Sequence, residues 1–315
     1  MKNRSHPVNI IPVGPEADGQ RVDNFLIKKL KNFPRTLIYK ALRTGQIRVN
    51  GQRAKQTRKL SSGDLIRLPP FMIPAEGGQI RVPDKWVQTI RDRVLCRSPD
   101  YLVVDKPSGM AVHAGSGVPF GLIDIVRQLE GHPDLQLCHR LDRDTSGCVV
   151  IARNMPALRD FQQQMQQQKI KKTYFALLKG HLNDRQAVQA RIDVENRQDG
   201  ERTVAVLDDD EQGGKSAHTV FLPVEHFNRQ ATLAECDLKT GRTHQIRAHA
   251  AHIGHPLAGD ERYGDPAFNR FMQQRGLHRL FLHAGALHFR DNGEDIVVSA
   301  PIPDELTAVL NKPWS

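Results

Sequence analysis

Thiols are scarce in this chain: four cysteines in 315 residues, Cys96, Cys138, Cys148 and Cys236, none spaced as C-x-x-C. That spacing argues against a dithiol redox centre or a cysteine-based zinc site, and two of the four border or enter apolar runs, as reduced, buried thiols do. Long apolar runs are missing too. No stretch approaches the roughly 18 consecutive apolar residues that a bilayer-crossing helix needs, and Met1-Lys2-Asn3-Arg4-Ser5-His6-Pro7 opens onto no hydrophobic signal region. The expectation is a cytoplasmic monomer with no membrane partner. Cofactor and hydrolase signatures are absent as well: Ser108-Gly109 and Gly115-Ser116-Gly117 fit neither G-x-x-x-x-G-K-[ST] nor G-x-S-x-G, and H-E-x-x-H does not occur.

Acidic residues are missing from one place in particular. Between Gln20 and Leu68 there are 13 Lys/Arg and only two acids, Asp23 and Asp64, a local net charge of +11 in a chain whose total is +10. The rest of the chain is therefore nearly neutral, and the excess charge sits in one small segment. A cationic surface of that density attracts a polyanion, because each phosphate it neutralises releases condensed counterions. Within the segment Val22, Phe25, Leu26 and Leu30 share one helical face, with Lys28, Lys29 and Lys31 toward solvent. Pro34 can open a second helix, with Leu37, Ile38, Ala41 and Leu42 as its stripe and Gly45 as its end. Asn50-Gly51 after Ile47-Arg48-Val49 is a strong hairpin-turn dipeptide, and Gly63-Asp64 turns the chain again before Leu65. Arg21-Val22-Asp23, the run from Arg43 to Gly51, and Gly63-Asp64 together resemble the αL RNA-binding domain named after ribosomal protein S-four. Physics alone says that the segment binds RNA or another polyanion.

Beyond it the sequence alternates strands and helices without a fixed repeat, which predicts an α+β domain rather than a regular βαβ winding. Tyr101–Val104 and Cys148–Ala152 are short apolar strand candidates, and Tyr174–Leu178, apolar on both faces, reads as a central strand. Leu158 to Gln168 reads as an exposed, Gln-rich helix. Asp208-Asp209-Asp210-Glu211 with Gly213-Gly214 reads as a solvated hairpin or insertion loop. Ala231–Leu238 is a strand, after which Thr243 can cap a helix burying Ile246, Ala250 and Ile253. The expected boundaries are an extension over 1–18, the small domain over 19–75, a Pro/Gly-containing linker over 76–93 and the large domain over 94–315.

His139-Arg140-Leu141-Asp142-Arg143-Asp144-Thr145-Ser146-Gly147 places two acids and two guanidinium groups at a turn directly before an apolar strand. Burial raises a carboxylate's pKa while an adjacent Arg keeps it ionised, so such a cluster is a candidate functional site; a turn paired only for local structure gives the same pattern. This run resembles the signature of the RluA-type family of pseudouridine synthases. Lys106-Pro107-Ser108-Gly109-Met110-Ala111-Val112-His113 is similar to the family's first motif, Lys172-Thr173-Tyr174-Phe175-Ala176-Leu177 to its tyrosine motif, and Gly241-Arg242-Thr243-His244-Gln245-Ile246-Arg247-Ala248-His249 to its arginine motif. Pro256-Leu257 and Asp260-Glu261-Arg262-Tyr263-Gly264 continue the order. Together they cover about residues 94 to 290.

The resemblance implies a cofactor-independent isomerase whose catalytic domain has a mixed, mainly antiparallel sheet and a central cleft. Its substrate would be uridines of large-subunit ribosomal RNA, with other ribosomal or transfer RNA uridines as the alternative. It makes Asp142 the catalytic carboxylate, Tyr174 the residue that stacks on the base, Arg247 the partner of that carboxylate, and Arg140 the side chain that fills the place of a flipped-out uridine. His139, Arg143, Lys106 and Arg242, with Arg21, Arg43 and Arg48 in the small domain, are the further candidates for contacting RNA. Two readings from other classes compete: a non-catalytic RNA-binding assembly factor, and a carboxylate-dependent glycoside or nucleoside hydrolase, which needs a second acid across the bond. His244, His249, His252 and His255 invite a metal reading, but no Cys or acidic ligand set accompanies them and no metal is expected.

Overall fold

The computed structural model describes residues 9–30, 33–69, 72, 82–115, 118–196, 202–207 and 213–314. They fall into two compact units, Met1–Gln79 and Ile80–Ser315. The first contains β1 (Asn9–Pro12), α1 (Val22–Lys29), α2 (Arg35–Arg43), β2 (Arg48–Val49), β3 (Gln52–Arg53) and β4 (Leu65–Leu68). Its strands form an antiparallel sheet in the order β1-β4-β2-β3. The two helical stripes meet in one core: Val22, Phe25, Leu26, Leu30, Ile38, Ala41 and Leu42 pack with Val49, Ile66 and Leu68. Asn50 and Gly51 take φ of 51° and 76°, the pair of left-handed residues that a two-residue hairpin turn requires. Part of the expected lead-in is strand instead. Asn9–Pro12 pairs with Leu65–Leu68 and covers the edge that β4 would otherwise expose; four residues are too few for their alternation to stand out in sequence.

Both acids of the cationic segment serve the fold. Asp64 is buried, accepts from Asn50 Nδ2 at 2.7 Å and from the Ser61 N–H at 3.0 Å, and so ties the hairpin to the second turn. Asp23, also buried, takes the Arg21 guanidinium at 2.6 and 3.1 Å. Neither acid is left on the surface to offset the exposed lysines and arginines.

The second unit runs through α3 (Asp84–Arg91), β5 (Val94–Arg97), β6 (Tyr101–Lys106), α4 (Leu122–Glu130), β7 (Gln136–Leu137), β8 (Ser146–Ala152) and α5 (Met155–Gln166). There follow β9 (Lys171–Lys179), β10 (Gln186–Asn196), β11 (Arg202–Leu207), β12 (Lys215–Phe227), β13 (Ala231–Leu238), α6 (Gln245–His252), α7 (Pro266–Gln274), β14 (Leu282–Asp291), β15 (Glu294–Ser299) and α8 (Asp304–Leu310). The strands make one sheet in the order β11-β10-β12-β13-β9-β14-β8-β6-β5, with β15 beside β14 and β7 beside β8. The contact of β14 with β8 is parallel and the other pairings are antiparallel, giving a mixed, mainly antiparallel sheet in an α+β fold.

β6 and β8 are buried along their whole length. Alternate residues serve opposite faces: Leu102, Val104, Val149 and Ile151 join one core, while Tyr101, Val103, Cys148 and Val150 join another. This is why they read as unbroken apolar runs. Two expectations need correction. Asp84–Arg91, inside the stretch expected as linker, is helix, because Val87 and Ile90 at helical spacing bury into the first core. α5 is not an exposed helix: Ala157, Phe161 and Gln164 form a buried face that the many glutamines conceal in the sequence. The acidic run Asp208–Glu211 lies outside the described residues.

Candidate active site

Asp142 sits in the connection from β7 to β8, and the segment after β6 clamps that connection from below. Fully buried Lys106 donates from Nζ to the carbonyls of Pro107, Met110 and Arg143 at 3.0, 2.8 and 2.9 Å. Ser108 Oγ donates to the Asp144 carbonyl at 2.7 Å, Arg143 Nε donates to the Gly109 carbonyl at 3.0 Å, and Leu141 plugs into the core. Gly147 fixes where the loop rejoins the sheet. Its φ is 113°, and a Cβ there would meet the Ala284 carbonyl oxygen at 2.2 Å, so β8 can pair with β14 at this point only through glycine. One sequence assignment changes here. Lys106 does not face RNA: three carbonyls take its three N–H groups, and burial pushes its pKa down to about 7. His139 accepts the Val150 N–H on Nε2 at 3.0 Å and stacks on Phe161, and burial pushes its pKa down to about 4. It is a neutral side chain that holds the loop to β8, with its proton on Nδ1, and it also lines the cavity that contains Asp142.

The opposite wall comes from β9 and α6. Tyr174, on β9, is buried. Asp142, Tyr174, His244 and Arg247 line one cavity of about 270 Å³, and Arg140 and Arg242 belong to its wall. Thr243 does not cap α6. The cap position is His244, held at φ 51° with no side-chain cap bond, which aims its ring at the cavity. His244 Nε2 stands 3.8 Å from Asp142 Oδ2, and its Nδ1 is 3.0 Å from the Tyr263 hydroxyl, which in turn accepts the Val204 N–H at 2.9 Å. With the Tyr263 O–H pointing to Nδ1, the Nε2–H is left facing Asp142. Burial lowers the His244 pKa and the Asp142 charge opposes that shift, leaving a neutral ring beside the carboxylate.

Arg247 does not pair directly with Asp142. Its Nε and Nη2 fork onto Asp260 at 2.7 Å each, and its guanidinium lies 5.1 Å from the centre of the Tyr263 ring. Asp260 also accepts the N–H groups of Arg262 and Tyr263 at 2.9 and 3.0 Å. Asp142 and Arg247 still feel each other's charge across the cavity. The reason is local geometry: a planar fork closes best on a carboxylate that already has backbone donors fixing its orientation. For Tyr174, burial and then the nearby Asp142 charge push the phenol above its usual pKa of about 10. Tyr174 is thus a neutral phenol in the cavity.

His244, Tyr263 and Asp260 lie within the motifs, but the sequence assigned none of them a role at the site. The available signal was Arg247 itself, which shares α6 with buried Ile246 and Ala250; an arginine among buried neighbours needs a carboxylate. Arg140 is exposed, Arg242 gives only Nε to the Ser216 carbonyl at 3.2 Å, and exposed Arg143 gives Nε to Gly109. In the first unit Arg21 is engaged by Asp23. Arg43 is exposed with no partner among the described residues, and Arg48 makes only 3.4 Å contacts with the Gly45 and Gly51 carbonyls. The other histidines go separate ways: His249 Nδ1 meets Thr219 Oγ1 at 3.0 Å and His255 Nδ1 donates to the Lys179 carbonyl at 2.8 Å. Among the described residues no cluster of three or more metal-ligating side chains forms, and no helix is long and apolar enough to cross a membrane.

The RNA pseudouridylate synthase family model matches residues 100–252, and the S4 domain model matches residues 20–66. The chain is 42% identical to ribosomal large subunit pseudouridine synthase C of Yersinia pestis, over 98% of this chain and 97% of that protein. It is 41% identical to the Escherichia coli K12 protein of the same name, over 99% and 98%. Among solved structures, human RNA pseudouridylate synthase domain containing 1 aligns with a TM-score of 0.57 at 26% identity, covering 69% of this chain and 86% of that one. Human RNA pseudouridylate synthase domain containing 4 aligns at 0.59 and 21% identity, covering 72% and 95%, a likeness of fold.

Proposed function

Since the chain belongs to the RNA pseudouridylate synthase family, we propose that it isomerises uridines of large-subunit ribosomal RNA to pseudouridine, with Asp142 as the catalytic carboxylate and no cofactor. The observation that carries this reading is that, among the described residues, Asp142 is the one acid lining a cavity walled by Tyr174, His244 and Arg247. The reaction breaks the N1–C1′ bond, turns the uracil, joins C5 to C1′, and releases the C5 proton while N1 gains one. Asp142 can attack C1′ as a nucleophile and depart again, or remove the 2′ proton to give a glycal. Either role needs an ionised carboxylate of fixed orientation, which the His244–Tyr263 pair and the Arg247 charge supply. Tyr174, neutral and flat, suits stacking against the uracil.

The same observation counts against a paired-carboxylate hydrolase, which needs a second acid across the scissile bond. Asp144 is not part of the cavity wall, and its carbonyl is held by Ser108. Because the target base must leave its stack to reach the cavity, Arg140, exposed in the cavity wall, is our candidate to fill the vacated place. Pseudouridine mapping of large-subunit ribosomal RNA, from cells with and without this gene, tests the assignment. Sites missing only without the gene are expected, and an unchanged map sinks it.

The small unit supplies affinity. Arg43 and Arg48, exposed on its surface, are expected to neutralise phosphates. The double change Arg43→Ala/Arg48→Ala should flatten the slope of log affinity against log salt by about 1 to 2, leaving turnover at saturating RNA unchanged. An unaltered slope would remove both from the interface.

A further inference from the structure

We propose that Lys172 is a substrate-binding residue whose ammonium takes a phosphodiester oxygen of the target nucleotide, an inference that rests on the reading of the cavity as a uridine-isomerising site. Lys172 lies on β9 two residues before Tyr174. Both side chains therefore leave the sheet on the same face, with Cα atoms about 6.6 Å apart, and both line the cavity that contains Asp142. The residue is only 7% exposed. Yet among the described residues it has neither a hydrogen-bond acceptor nor an ion-pair partner. The carboxylate whose charge reaches it, Asp237, is held by Lys239 at 2.5 Å.

The contrast with Lys106 is instructive. Both lysines are buried, but Lys106 lies outside the cavity lining and gives its three N–H groups to three carbonyls. The Lys172 side chain is also largely buried, yet it lines the cavity with no acceptor for its ammonium among the described residues. Burial of an unpaired charge is costly unless an opposite charge arrives, and burial correspondingly lowers the Lys172 pKa. A uracil carbonyl offers only a dipole, whereas the permanent anions of an RNA are its phosphodiesters. With the uracil against Tyr174 and C1′ at Asp142, the sugar carries its own phosphate away from the ring by about the spacing of the two side chains. Arg140 and Arg242, both exposed in the same wall, can meet phosphates of stacked RNA. Lys172 is too deep for that. It reaches only a phosphate drawn in with an extruded nucleotide, so its contribution appears only once the target has flipped.

The test uses the full-length protein and a short RNA that the wild type converts, as shown by tritium release from C5-labelled uridine. In companion RNAs the phosphate 5′ or 3′ of the target is replaced by an uncharged methylphosphonate. Lys172→Met is expected to raise KM about 10-fold with kcat little changed, and to reduce the salt slope of binding by about 0.7. One of the two methylphosphonates should cost the wild type a similar factor and cost Lys172→Met almost nothing more. Lys172→Arg should recover most of the affinity. The thermal midpoint of Lys172→Met should hold or rise, since it removes an unpaired buried charge; a lysine needed only for folding would lower it. The proposal is overturned if KM and the salt slope are unchanged, if the loss falls entirely on kcat, or if the substitution and each methylphosphonate act independently. Binding reads the role of Lys172, and tritium release by the wild type reads the isomerase assignment, so the failure of one is distinguishable from the failure of the other.

Discussion

Asp142→Asn is expected to reduce tritium release from C5-labelled uridine RNA by about 10⁴-fold or more, with RNA affinity and thermal stability close to those of the wild type. The large kinetic effect follows from chemistry. An amide of the same size can neither attack C1′ nor accept the 2′ proton, so both available routes lose their reacting atom. The absence of a structural effect follows from geometry. The Asp142 side chain is 21% exposed, and its contact with His244 is a 3.8 Å approach rather than a short hydrogen bond. The loop is held by Lys106, Ser108 and Arg143, none of which uses the Asp142 carboxylate. A variant retaining more than about one per cent of wild-type release would show that another group carries the chemistry. A wild type with no release above the Asp142→Asn control would favour the competing reading, an RNA-binding assembly factor that has kept a catalytic shape without its use.

What the sequence made legible follows the range of the interactions involved. The apolar strands β6 and β8 were readable because burial on both faces leaves an unbroken run. The hairpin at Asn50-Gly51 was readable because few residues adopt two successive left-handed conformations. The Asp142 loop was readable because four charged groups beside a buried strand have few structural explanations. What escaped depends on partners distant in the chain. Lys106 looks like a surface cation until Arg143, 37 residues later, supplies one of its three acceptors. The structural duty of His139 is invisible until the Val150 N–H takes its Nε2. Thr243 has the right chemistry for a cap, yet the left-handed turn at His244 gives that position to the imidazole, and no composition rule anticipates it. The helix α3 was masked by flanking proline and glycine, although Val87 and Ile90 have the spacing of a buried stripe.

Arg247 is where fold and chemistry are hardest to separate, and Arg247→Met should affect both. The Arg247 side chain is 9% exposed and its partner Asp260 is fully buried. Removing the guanidinium leaves a carboxylate with backbone donors but no counter-charge, a loss of about 3–5 kcal/mol. In a unit of this size that lowers the thermal midpoint by roughly 6–20 °C. Burial alone would raise the Asp260 pKa; the Arg247 fork and the N–H groups of Tyr263 and Arg262 outweigh it and hold the pKa below the usual value. The pair's stabilisation is therefore complete above the ordinary carboxylate range, near pH 4. It is lost as the pH falls below that range and through the lowered folded-state pKa. Arg247→Met should lose this acid-dependent part of the stability curve. Turnover should also fall, by about 100-fold, because Asp142 loses the positive charge that faces it across the cavity. Arg247→Lys should restore little, since an ammonium cannot fork onto Asp260. The double variant Arg247→Met/Asp260→Leu separates the two roles. Replacing the whole buried pair by apolar side chains should return most of the stability and none of the turnover. Recovery of both would reduce Arg247 to scaffolding and leave His244 as the only neighbour holding the Asp142 carboxylate in place.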